Sequence, residues 1–119
     1  MISDDVAALD YCYLTTTGRK SGLPREIEIW FGVDGGTVYL LAGGGEKAHW
    51  VQNIGANPGA TLRLGDRVRE ALGRVVAASS EEDARARRLL LEKYQPRYAG
   101  DLTEWGRTAL PVALDLEGD

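Results

Sequence analysis

Glu26-Ile27-Glu28-Ile29-Trp30-Phe31-Gly32-Val33-Asp34-Gly35-Gly36-Thr37-Val38-Tyr39-Leu40-Leu41-Ala42 is the stretch on which the fold turns. Ile27, Ile29, Phe31 and Val33 alternate with Glu26, Glu28, Trp30 and Gly32, and this period of two predicts a β-strand with one buried face. Asp34-Gly35-Gly36 is a turn of the type that joins hairpin strands, and Thr37 to Ala42 reads as the returning strand. The face carrying Glu26, Glu28 and Trp30 belongs either to solvent or to a cavity, the second if the sheet closes on itself. Two glutamates on one strand face also suit a glycosidase, but nothing else in the chain supports a sugar site.

Upstream, Ala7 to Thr17 mixes Leu9, Tyr11, Tyr13 and Leu14 with three threonines and predicts a strand leading into Gly18-Arg19-Lys20-Ser21-Gly22-Leu23-Pro24-Arg25. There two glycines let the backbone turn, while Arg19, Lys20, Arg25 and the Ser21 hydroxyl fall close together. Such a turn can aim a guanidinium, an ammonium and backbone N–H groups at one phosphate or carboxylate. It can equally be a solvated hairpin tip, and the composition of the turn does not separate the two. Cys12, the single cysteine, reads as a buried structural thiol.

Downstream, Gly43-Gly44-Gly45 costs backbone entropy, which suggests a strained turn or a place where a flat ligand approaches the main chain closely. From Glu46 the spacing becomes helical, with Trp50, Val51 and Ile54 on one face and Asn57-Pro58 as the stop. His49, the single histidine, is a proton donor or ligand contact on one reading and a solvated helix residue on the other. Ala60 to Leu64 and Val68 to Ala77 predict a second hairpin with Leu62, Leu64, Leu72 and Val76 in the core, and Arg63, Arg67, Arg69 and Arg74 outward, guarding strand edges. Ser79-Ser80 before Glu81-Glu82-Asp83 begins a helix that runs to about Tyr94. Tyr98 to Arg107 reads as a connecting loop with a short turn, and Leu110 to Leu116 as the closing strand.

With 119 residues, 27% charged and 44% hydrophobic, the chain suits one domain over 1–119 with a single core. Its net charge of −4 gives no electrostatic reason to expect nucleic acid as a partner, so an anion site must be local. No His/Cys cluster has metal-ligand spacing, no segment has the length of a membrane span, and the acidic start lacks a signal-peptide pattern. The cytoplasm is the expected location. Six strands and two main helices predict an α+β, mainly β architecture: a small antiparallel split β-barrel.

Thr16-Thr17-Gly18-Arg19-Lys20-Ser21-Gly22 with Arg25, then Trp50-Val51-Gln52-Asn53-Ile54 with Ala56-Asn57-Pro58, then Ala109-Leu110-Pro111-Val112-Ala113-Leu114 resemble the deazaflavin-dependent nitroreductase and quinone reductase family of split β-barrel flavoproteins. The resemblance implies coenzyme F420, a hydride carrier with an anionic tail. By position, Gly18, Arg19, Lys20, Ser21 and Arg25 would hold the phosphate, and Ala42, Gly43 and Gly44 would meet the ring through main chain. Trp50 and Asn53 would anchor the helix beside that loop, with Trp30, Tyr94 and Tyr98 lining an acceptor pocket and Tyr98 or His49 as proton donor. The expected activity is hydride transfer to a small quinone, enone or nitroaromatic. The alternatives are a split barrel holding riboflavin phosphate (FMN) or haem, and a lipid or cofactor carrier without turnover. Monomer and homodimer both remain open.

Overall fold

The hairpin predicted over 26–42 forms, but its first strand is broken. In the computed structural model, which describes residues 2–118, Pro24–Ile29 is one strand (β2) and Gly32–Asp34 another (β3), and they lie at opposite ends of one sheet. Around them run α1 (Asp4–Ala7), β1 (Cys12–Thr17), β4 (Thr37–Ala42), α2 (His49–Ala56), β5 (Gly59–Leu64), β6 (Arg67–Val75), α3 (Glu81–Tyr94), α4 (Thr103–Thr108) and β7 (Leu110–Leu116). The strand order is β2-β1-β5-β6-β7-β4-β3, and every pair is antiparallel. Among the described residues seven strands replace the six expected, in an antiparallel half-barrel whose two end strands are joined by Trp30 and Phe31 alone. Met1 and Asp119, the ends of the domain expected over 1–119, lie outside the described residues.

The break has a packing cause. Phe31 and Gly32 are both buried, which a strand with one buried face cannot supply at consecutive positions. A Cβ on Gly32 would stand 2.9 Å from Leu89 and 3.0 Å from Leu90, so α3 lies directly on the crossover. The Phe31 peptide groups, taken out of the ladder, are satisfied by that helix: the N–H donates to Tyr94 Oη at 3.0 Å, and Lys93 Nζ donates to the carbonyl at 2.9 Å. Tyr94 Oη also donates to the Asp10 carbonyl at 2.8 Å, tying the approach to β1 to the same point. Burial and the nearby Arg97 charge pull the Lys93 ammonium down to about 8.

The concave side of the sheet encloses Leu14, Leu40, Leu62, Leu64, Val112 and Leu114, and α2 closes it with Val51 and Ile54. Gly73 permits this, because a Cβ there would meet Ile54 Cγ2 at 2.8 Å. A second apolar layer forms behind β4 and β7, where Tyr39, Leu41 and Ala113 pack against Ala86, Leu90 and Tyr94 of α3. Buried on both faces, β4 is for that reason apolar almost throughout. Burial pushes the Cys12 thiol up to about 12, as suits an inert core residue.

Several expectations need correction. The strand predicted from Ala7 begins at Cys12, because Ser3 caps a single helical turn, its Oγ accepting the Val6 N–H at 3.3 Å. The helix predicted from Glu46 is a 3₁₀ turn over Gly45–Lys47, and α2 starts at His49 after the extended Ala48. Leu72 is 50% exposed, since Ala71 and Gly73 take the inward positions of β6. The Arg63, Arg67, Arg69 and Arg74 strands are interior to the sheet and have no free edge to guard. Arg74 instead ties α3 to the sheet, reaching Glu82 Oε1 and Asp115 Oδ2, each at 2.7 Å. Within the stretch read as a connection, α4 forms.

Candidate functional site

The turn between β1 and β2 is built around Ser21. Its hydroxyl accepts the Leu23 N–H at 3.1 Å and an Arg25 guanidinium N–H at 3.3 Å. A Cβ on Gly18 would lie 2.6 Å from Ser21 Oγ, so this inward fold of the serine requires glycine there. Gly18 N–H donates to the Leu23 carbonyl at 2.8 Å, and Gly22, at φ 72°, completes the turn.

Helix α2 holds the turn from the other side. Asn53, only 3% exposed, accepts at Oδ1 from the Arg19 backbone N–H at 3.1 Å and from its guanidinium at 3.0 Å. Its amide donates to Thr16 Oγ1 at 3.2 Å, so one buried side chain joins helix, strand and turn. Arg19 NH2 lies 3.3 Å from His49 Nδ1, within hydrogen-bond reach of that ring nitrogen.

Between turn and helix lies a cleft of about 570 Å³ whose lining includes Gly18, Arg19, Lys20, Ser21, Arg25, His49, Trp50 and Asn53. None of Arg19, Lys20 and Arg25 pairs with a carboxylate among the described residues. The one acidic lining residue, Glu26, faces Arg63 at 3.9 Å. An excess of unpaired positive charge over a preformed, hydroxyl-bearing turn is a donor set suited to a phosphate.

Ala42, Gly43 and Gly44 lie outside that lining. Ala42 is buried and pairs with Leu110 in the β4–β7 ladder, while Gly43 and Gly44 are exposed. The glycine loop runs from the end of β4 to the start of α2, and a Cβ on Gly43 would reach Trp105 Cδ1 at 4.0 Å. It therefore abuts a second cleft of about 560 Å³, lined by Trp30, Tyr98, Asp101, Leu102, Glu104 and Trp105. Tyr98 and His49, the two expected proton donors, belong to different clefts. Tyr94, expected as a lining residue, is only 2% exposed; its ring supports the cleft from below, stacked on Trp30 at 4.3 Å and 2°. Trp105 went unrecognised because it sits in the stretch that carried no period; a tryptophan amid polar neighbours was the available signal.

A family model described as F420H(2)-dependent quinone reductase matches residues 2–117. The chain belongs to the F420H(2)-dependent quinone reductase family. It is accordingly an F420H2-dependent reductase with coenzyme F420 as its cofactor, and the riboflavin phosphate alternative is not needed. Among solved structures it is similar to one titled F420-H2 dependent reductase, with 25% identity, a TM-score of 0.72, and coverage of 89% of this chain and 94% of that one. A structure titled domain-swapped dimer matches with the same identity and TM-score, over 89% of this chain and 80% of its own. HutZ, a haem storage protein from Vibrio cholerae, shares the fold at 14% identity and a TM-score of 0.74, over 92% of this chain and 83% of its own. No helix among the described residues is long and apolar enough to cross a membrane.

Proposed function

We propose that this family member reduces a small flat conjugated acceptor, a quinone, enone or nitroaromatic, using a cofactor whose phosphate sits among Arg19, Lys20, Ser21 and Arg25. The observation that carries this reading is the cleft of three cations without carboxylate partners, beside a glycine loop that abuts an aromatic cleft. The residues present fit the cofactor: the cradle supplies charge for the tail, and the loop carries no side chain at Gly43 and Gly44 to hold a ring away. We also read the chain as one split-barrel domain.

When bound, F420H2 supplies a hydride. The protein's part is to hold, orient and exclude water. Arg19 is held by Asn53 and Arg25 by Ser21, which supports a phosphate site that costs little side-chain freedom on binding. Lys20, exposed and without a partner among the described residues, closes on it as a mobile charge. His49 supports Arg19 on the tail side. Tyr98 lines the aromatic cleft, which supports it as the donor of a proton to the reduced acceptor, with solvent as its competitor.

Anaerobic oxidation of F420H2 by a panel of quinones, enones and nitroaromatics tests the reading. Acceptor-dependent recovery of the oxidised deazaflavin's absorbance is expected. Tight cofactor binding with no acceptor turned over would make the protein a carrier.

A further inference from the structure

The aromatic cleft is a constructed feature of the fold. Trp30 is fixed from below by the Tyr94 ring, and Trp105 and Tyr98 stand steeply to it, at 5.4 Å and 87° and at 5.7 Å and 77°. The loop carrying Tyr98 is bracketed by one side chain: Gln95 Nε2 donates to the Gly100 carbonyl, and Gln95 Oε1 accepts the Leu102 N–H, each at 2.8 Å. Gly100 allows the tyrosine to fold back over the loop, since a Cβ there would lie 2.8 Å from Tyr98 Cε2.

Its charge is opposite to that of the cradle. Among the described residues its lining has two carboxylates, Asp101 and Glu104, and no lysine or arginine. Hydrogen bonds from the Thr103 hydroxyl and backbone N–H hold Asp101 below its ordinary pKa, and no cation pairs with it among the described residues. Glu104 is held low by Arg107 at 2.6 Å, which offsets part of its charge from outside the lining. Faces of indole and phenol rings attract cations, and a nearby uncompensated carboxylate adds to that attraction.

We propose, resting on the reductase reading above, that this acceptor cleft selects by charge: among flat electron-poor acceptors with the same ring it prefers cationic to neutral and neutral to anionic ones. The same polarity keeps the anionic cofactor tail out of the acceptor site and directs it to the cradle. The acceptor gains the hydride and the proton that F420H2 gives up, two electrons in all, and a quinone leaves as hydroquinone. A charge carried on a side arm is unchanged by the reaction.

The test uses three naphthoquinones with one ring and one propyl arm, ending in methyl, trimethylammonium or sulfonate. Their kcat/KM values are compared at saturating F420H2, and binding of the corresponding non-reducible naphthalenes to cofactor-free protein is measured by calorimetry. At low salt the cation should exceed the anion by about five-fold in both measurements. In Asp101→Asn/Glu104→Gln, and at high salt, the ratio should fall below about two-fold. An asparagine Oδ1 accepts the Thr103 N–H and hydroxyl as the aspartate does, so the variant keeps its fold. Equal values for cation and anion, preference for the anion, or a ratio that survives the double substitution would overturn the proposal. If no naphthoquinone is reduced while the naphthalene cation still binds preferentially, the quinone part of the acceptor reading fails and the charge selection stands.

Discussion

Asn53 Oδ1 receives both the backbone N–H and the guanidinium of Arg19, at 3.1 and 3.0 Å, so a residue of the helix fixes the first cation of the turn. Asn53→Ala should leave Thr16 and Arg19 without these partners, costing about 1–3 kcal/mol of stability and weakening F420 binding. Asn53→Asp separates the two effects. It keeps the Arg19 contact but places a negative charge in the cradle, so stability should fall less than affinity. Urea unfolding and fluorescence titration of F420 read the two quantities.

Tyr94→Phe keeps the ring under Trp30 and removes the hydroxyl that serves Phe31 and Asp10. The buried Phe31 N–H then lacks its partner, and a loss of roughly 1–3 kcal/mol in urea unfolding is expected. An unchanged midpoint would show that the crossover does not depend on this bond.

Bonds from Arg74 first, and from the Tyr39 hydroxyl second, draw the Glu82 carboxyl from 4.5 down to about 2. A pKa depressed by folding stabilises the protein above the unfolded value, and that contribution is lost as pH falls through the folded one. Urea unfolding between pH about 4.5 and about 2 should therefore show a steeper loss of stability in the parent than in Glu82→Gln. Parallel curves would mean that Glu82 contributes no acid sensitivity.

Much of this organisation was legible in the sequence, because two strong local signals sat where the fold used them. The closing strand over Leu110–Leu116 forms with its expected bounds, and Ser80 caps α3, its Oγ accepting the Asp83 N–H at 3.0 Å. What local pattern could not reveal was tertiary. The alternation through Ile29, Phe31 and Val33 continues across the crossover, and only the helix lying over Gly32 ends one strand and starts the next. Leu72 failed as a core residue because register, set by Ala71 and Gly73 against α2 and β7, outweighed its hydrophobicity. The cationic turn was visible as a cluster, whereas its anchoring by Asn53 joins residues 34 positions apart and needs the fold to be seen.

Gly44→Val tests the loop. The nearest atom to a Cβ there is Ala48 Cβ at 3.5 Å, an ordinary van der Waals contact, so the variant should fold with near-parental stability. F420 binding should weaken, because the branched side chain stands where a flat ring would approach the main chain. Normal affinity in a folded variant would reduce Gly43-Gly44-Gly45 to a connecting turn.

The central claim is that Gly18 to Arg25 holds the cofactor's phosphate, and Lys20 tests it most directly because its side chain supports nothing else among the described residues. Fluorescence titration of F420 against parent and Lys20→Ala, at low and high salt, is the measurement. The lost contact, about 1.5–3 kcal/mol, should raise Kd by roughly ten-fold to more than a hundred-fold. Stability should stay within about 0.5 kcal/mol of the parent, and salt should weaken binding more steeply in the parent than in the variant. Equal affinities and equal salt slopes would contradict the account and leave the turn an ordinary solvated hairpin tip.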